Sequence, residues 1–405
     1  MQNKLNLTDD IKIILPKRIK TLDAMRGLAA LTVVLGHVLS SIFPTGNFLL
    51  DWTPLYIVCS SHEAVIFFFL LSGYVLTHQY NNGKAFNYKF FLIGRILRVY
   101  FPYLVALTLS IILFHFFKGD LHTHYNNFIK SQWHFIISGN LILNHIILLG
   151  NFKSDTINVV IWSLVHEMRV SLIFPLILLL LKLKWQTVIT IALIISIVAC
   201  FGIVHNINPS QGFNNSYLYT CHYFSIFLIG ALLAKFQNRL VNLYTNLSIR
   251  LKAALLTLAL LVYTLSHLTL NVLNFIHFKE TLKYSFLFAD WQTVIASCYM
   301  MTAAISLAGT KTWLEAKLPL FFGKISYSLY LLHVPVIYVT YKILPHVYFP
   351  LALTIGSICS FILAIAFNKA VELPAAAIGR NIIQWLKQGK ANLIQEKPAV
   401  SSALS

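Results

Sequence analysis

The run at 22–37, LDAMRGLAALTVVLGH, is apolar and helix-length, with one arginine near its start and a histidine at its end. Arg26 and His37 are eleven positions apart. At about 100° per residue that spacing returns them to within about 20° of one helix face, roughly 16 Å apart along the axis. Both can therefore line one polar channel. An ionisable group inside a membrane helix costs several kcal/mol unless it is paired or hydrated, so it faces the protein interior and marks a functional site. A lone histidine there is as readily explained by a hydrogen bond to a neighbour on its own helix. The matched arginine favours the functional interpretation.

The densest polar cluster in any apolar run is NVVIWSLVHEMRVSLIFPLILLL. On a helix Trp162, His166 and Arg169 share one face at i, i+4, i+7, while Ser163 and Glu167 share the adjacent one. If this run crosses a membrane from outside to inside as one helix, Glu167 lies near the midplane, at the depth of His37. A histidine oriented by a carboxylate is the common arrangement for general-base catalysis. The alternative is a buried Glu167–Arg169 or Glu167–Arg26 ion pair that only holds helices together. FFGKISYSLYLLHVPVIYV adds Ser326, Tyr330 and His333 on one face, His333 again at mid-depth and followed by Pro335.

Two further sets are less specific. In KFFLIGRILRVYFPYLVAL, Arg95 and Arg98 sit three apart on one helical face. Such a pair suits phosphates, which guanidinium groups grip through bidentate, permanently charged contacts, although arginines commonly flank membrane helices on the cytoplasmic side. SSHEAVIFFFLLSGYVLTH carries His62 and Glu63 near its outer end. For Glu63 a structural or hydration role and a functional one are both open, and Ser72–Gly73 is expected to serve close helix packing. His122 and His124 have no partner at a metal-ligand spacing, so no metal is expected. No phosphate-binding glycine loop appears.

The elements that must position these groups follow from composition. With 405 residues, 58% hydrophobic and 11% charged, and a mean hydropathy of +0.72, the chain fits an all-α, polytopic membrane bundle and no soluble class. Runs of about 20 apolar residues, the length a ~30 Å hydrocarbon layer requires, fall at 22–43, 57–78, 99–117, 158–181, 185–204, 217–234, 253–270, 284–308, 325–340 and 349–368. With an inside N-terminus these ten spans place 23 of the 31 lysines and arginines in inside loops and 6 outside, Arg26 and Arg169 lying within spans. Both termini are therefore expected in the cytoplasm, and the formal charge of +18 reflects inside loops rather than nucleic acid. HFIISGNLILNHIILLG at 134–150 would invert every later loop if it spanned, so it is expected to be re-entrant or interfacial. The five scattered cysteines imply no disulfide framework. The first run, long and holding Arg26, is expected to stay as an anchor rather than be cleaved. The chain thus divides into a cytoplasmic segment, 1–21, a transmembrane domain, 22–372, and a cytoplasmic tail, 373–405, amphipathic and then polar.

In order and spacing, LDAMRGLAALTVVLGH, HEAVIFFFLLSGYVLT, GRILRVYFPYLVAL, WSLVHEMRVSLIFP, FLIGALLA, GKISYSLYLLHVPV and VELP resemble the integral-membrane acyltransferase family 3. The family includes O-acetyltransferases of bacterial surface glycans. The resemblance implies transfer of an acyl group, usually acetyl, from cytoplasmic acyl-CoA to an acceptor hydroxyl across an inner membrane. It implies that Arg26 and His37 match the family's arginine–histidine pair central to activity, that Arg95 and Arg98 match its acyl-CoA-handling RxxR, and that Glu167 matches the glutamate of its Trp-Ser-Leu motif. Some members carry an esterase-like SGNH domain. None is expected here, so transfer is expected to finish in the membrane domain or on a separate protein. Lys17, Arg18, Lys20, Arg95 and Arg98 would then form a basic rim for the CoA phosphates, with the pantetheine arm reaching past Arg26 toward a neutral His37 oriented by Glu167. Glu63, Arg169, Ser326, Tyr330 and His333 would support the site. Direct transfer and a transient acyl-enzyme are both open. The rival functions are a proton-coupled exporter using the same His, Glu and Arg groups and a membrane scaffold without chemistry.

Overall fold

A computed structural model of the chain describes residues 19–42, 53–80, 85–118, 133, 136–269, 283–310, 312–345 and 347–395. Lys17 and Arg18, like His122 and His124, lie outside the described residues. Among those described every regular element is helical: α1 Lys20–Ile42, α2 Ser61–His78, α3 Tyr88–Arg95, α4 Phe101–Phe117, α5 Gly139–Ile147, α6 Ile161–Leu172, α7 Phe174–Leu180, α8 Trp185–Val204, α9 Tyr217–Lys235, α10 Gln237–Thr245, α11 Ile249–Leu265, α12 Ser285–Ser306, α13 Lys317–Ile343, α14 Phe349–Phe367 and α15 Leu373–Gln395. Over its described residues each of the ten expected spans is mainly helical. Seven helices are long and apolar enough to cross a membrane by length and composition, or eight with α6 and α7 taken as one bent span. The two that fall short of the ten, α2 and α12, are long enough but carry His62, Glu63 and Asp290, whose polarity lowers their hydropathy. Large apolar side chains such as Val198, Ile295 and Ile362 face outward, at 62%, 67% and 62% exposure, as a lipid-facing surface requires.

Small residues set the tightest contacts. A Cβ on Gly27 would collide with the backbone of Gly323, and one on Gly323 with the carbonyl of Asp23, so α1 and α13 touch main chain to main chain. Gly73 and Gly230 do the same between α2 and α9, which gives the Ser72–Gly73 pair its packing role. Gly36 packs likewise on Ser61 and Cys59, at the start of α2.

Three features of the chain path bear on the sequence expectation. The run 158–181 is one bent unit: α6 ends at Leu172, and α7 leaves at 60° with Pro175 in its first turn, where the missing N–H breaks the ladder. The described residues of 134–150 form only the nine-residue α5, about 14 Å long and too short to span. Its end is tied to the bundle by the Tyr100 and Tyr103 hydroxyls, which donate to the carbonyls of Ile146 and His145. Finally, α3 runs into α4, and α14 into α15, through single π-helical turns, Ile96–Tyr100 and Asn368–Glu372. Such turns recur at functional sites. Here they hold Arg98 and Glu372.

Candidate active site

The eleven-residue spacing of Arg26 and His37 puts both on the face of α1 that meets α13, and the glycine contact brings that helix within side-chain reach. Arg26 donates through Nε to Ser326 Oγ (3.1 Å) and through a terminal nitrogen to the Gly323 carbonyl (2.9 Å). It also pairs with Asp23 at 3.4 Å. Toward the other end of the same seam, the His37 ring lies 5.3 Å from that of His333, centroid to centroid. His333 Nδ1–H donates to the Leu329 carbonyl at 3.0 Å, which leaves Nε2 as the acceptor nitrogen. That buried Nε2 has no hydrogen-bond partner among the described residues. Between these ends, Tyr330 bonds Ser163 Oγ on α6 at 2.7 Å.

Pro335 would leave the Leu331 carbonyl, four residues back, unpaired in an apolar layer. Asn158, just before α6, donates to it through Nδ2 at 2.7 Å. The proline thus becomes a docking point for α6 beside Tyr330.

Glu167 departs from the sequence expectation. Its carboxylate accepts from Arg95 at 2.5 Å, while Arg95 Nε donates to Ser171 Oγ at 3.0 Å, so Glu167 holds Arg95 and does not orient His37. Glu167 lies in the second half of α6, level with Arg95. Its partner is therefore neither His37 nor Arg26 nor Arg169. The two arginines of the RxxR pair have different partners: Arg95 bonds to α6, whereas Arg98, in the π turn, stands near Arg26, Arg95, Glu372 and Asp23. Both π turns are fastened to α13. Tyr327 donates to the Val99 carbonyl (2.7 Å), Ser328 to Glu372 Oε2 (2.7 Å), and Asn368 to the Lys324 carbonyl (3.0 Å).

The other face of α6 is structural, as its i, i+4, i+7 spacing allowed. His166 bonds Thr220 Oγ1 and the Asn214 carbonyl at 2.9 and 2.8 Å. Arg169 donates to the carbonyls of Leu149, Gly150 and Asn215 and to Thr220 Oγ1, closing loops whose main-chain oxygens need donors.

Glu63 is 2% exposed rather than solvated, and accepts from Tyr56 and Ser266 at 3.4 and 3.3 Å. Next to it lies a cluster that sequence reasoning missed: Asp290 on α12, with both oxygens taken by histidines, His62 and His222. A lone carboxylate in SFLFADWQTVIAS was the available signal, since an acidic group inside an apolar run is rare without a use.

A family model described as an acyltransferase domain, that of acyltransferase family 3, matches residues 19–369. The chain belongs to acyltransferase family 3. It is a membrane acyltransferase, and the match takes in both the α1/α13 seam and the arginine cluster. No curated protein and no solved structure matches the chain.

Proposed function

We propose that this family 3 acyltransferase moves an acyl group, acetyl in the simplest case, from cytoplasmic acyl-CoA to a hydroxyl of a cell-envelope glycan or lipid-linked acceptor in a bacterial inner membrane. The observation that carries this proposal is the α1/α13 seam, which joins a guanidinium group, Arg26, to a pair of imidazoles, His37 and His333. Arg95 and Arg98 stand beside its basic end, where the CoA phosphates would bind, with Lys17 and Arg18 on the segment leading into α1. The charges suit that role: three guanidinium groups converge, with Asp23 paired to Arg26, Glu167 to Arg95, and Glu372 near Arg98.

In the proposed reaction His37 accepts the proton of the acceptor hydroxyl as its oxygen attacks the thioester carbonyl. The carbon–sulfur bond breaks, the ester forms, and the proton passes to the departing CoA thiolate. His333, its Nε2 an acceptor, sits where it can bond a protonated His37. Exclusion of water by the packed seam keeps the thioester from hydrolysis. The test is acetyl-CoA consumption and free CoA release by the purified protein with a crude mixture of envelope glycans, wild type against His37→Ala and Arg95→Ala. Acceptor-dependent release that disappears with His37→Ala supports the proposal. Absence of acyl-CoA binding and turnover would overturn it and favour the proton-coupled exporter.

A further inference from the structure

A carboxylate-oriented histidine exists in this protein, but it is His62 rather than His37. His62 Nε2 lies 2.6 Å from Asp290 Oδ1, and His222 Nε2 lies 2.9 Å from Oδ2. A carboxylate only accepts, so both histidines donate through Nε2. Beyond them the two differ. His222 is fully buried, and its Nδ1 accepts from Ser196 Oγ at 2.8 Å, that oxygen in turn accepting from Trp291 Nε1 at 2.9 Å. His222 is thus saturated and fixed. His62 has 37% of its side chain exposed, and nothing bonds its Nδ1 among the described residues.

Each imidazole holds one oxygen of Asp290, and of the two only His62 keeps an open ring nitrogen. Its place is also informative: Ser61, the preceding residue, packs on Gly36, the neighbour of His37. The dyad therefore stands at the depth of the His37–His333 pair, away from the arginine cluster.

We infer that His62, held by Asp290, is a hydroxyl-binding site for the acceptor, a positioning group on the side of the bundle opposite the arginines. A hydroxyl is the chemical class that fits. It donates to Nδ1 when the imidazole is neutral and accepts from Nδ1–H when it is charged, whereas an anion or a cation satisfies only one of those states. The inference rests on the acyl-transfer proposal for the identity of its ligand, a polyhydroxylated acceptor. Glu63, buried one residue away and bonded to Tyr56 and Ser266, closes the floor of the same cluster.

The test uses the full chain in lipid nanodiscs and octyl β-D-glucoside, below its micelle concentration, as a surrogate sugar acceptor. His62→Gln places an amide near the Nε2 position, retaining the bond to Asp290, and removes Nδ1. Ser196→Ala alters the far end of the network. Loss of one hydrogen bond corresponds to about a tenfold rise in KM for the glucoside, expected in His62→Gln with KM for acetyl-CoA unchanged and in Ser196→Ala not at all. Equal rises for both substrates, or none, would overturn the inference. A second measurement does not depend on turnover. The glucoside, but not an octyl polyoxyethylene ether, should raise the thermal unfolding midpoint of the wild type, and the rise should vanish in His62→Gln. If acetyl-CoA is not consumed at all, the acyl-transfer proposal falls and this shift alone decides: its persistence in His62→Gln, or its absence from the wild type, refutes the His62 site.

Discussion

The carboxylate of Glu167 accepts from Arg95 at 2.5 Å, while Arg95 Nε donates to Ser171 Oγ, one turn further along α6. Arg95 is thereby held along α6, and the Glu167 carboxylate is engaged there rather than at His37.

Glu167→Gln should therefore act through Arg95. KM for acetyl-CoA should rise about three- to tenfold while kcat changes by less than about twofold, the pattern of a lost binding interaction. Steady-state kinetics decide it. A fall in kcat at constant KM would instead place Glu167 in the proton-transfer step with His37.

His333→Phe keeps a ring against His37 and removes the acceptor nitrogen. If that nitrogen steadies a protonated His37, kcat should fall by about 10- to 100-fold, within the range of acid–base contributions, with little change in KM for acetyl-CoA. Unchanged kcat would reduce His333 to packing.

Gly27→Ala should be destabilising without touching any polar group. The added methyl meets the backbone of Gly323, which cannot rotate aside, and overpacking of this kind costs about 1–3 kcal/mol. The unfolding midpoint in nanodiscs should drop, and transfer activity should fall with it, since Arg26–Ser326 and His37–His333 are both set by this contact.

Asn158→Leu strips the Leu331 carbonyl of its donor, at a cost of about 1–3 kcal/mol for a buried unsatisfied group. Pro335→Ala returns a backbone N–H that can donate to the same carbonyl. In the double variant most of the lost stability should come back. If it does not, the Asn158 bond is not compensating for the proline.

Much of this molecule was legible in the chain itself. Apolar runs matched to bilayer thickness produce the helices, and the eleven-residue interval makes Arg26 and His37 share a face; neither depends on what packs nearby. The 3.6-residue period likewise divided α6 into a Ser163/Glu167 face and a Trp162/His166/Arg169 face, and the structure uses them separately. Partnerships between helices were not legible, because they depend on depth, rotation and close approach. The packing of α3 against α6 determined that Glu167 meets Arg95, and two glycines determined that His37 meets His333. The convergence of α2, α9 and α12 gave Asp290 two histidines, from residues 228 and 68 positions away. Local sequence sets which face a residue occupies, but a short-range bond between side chains needs the helices registered to within an ångström or so, and only the packed bundle supplies that register.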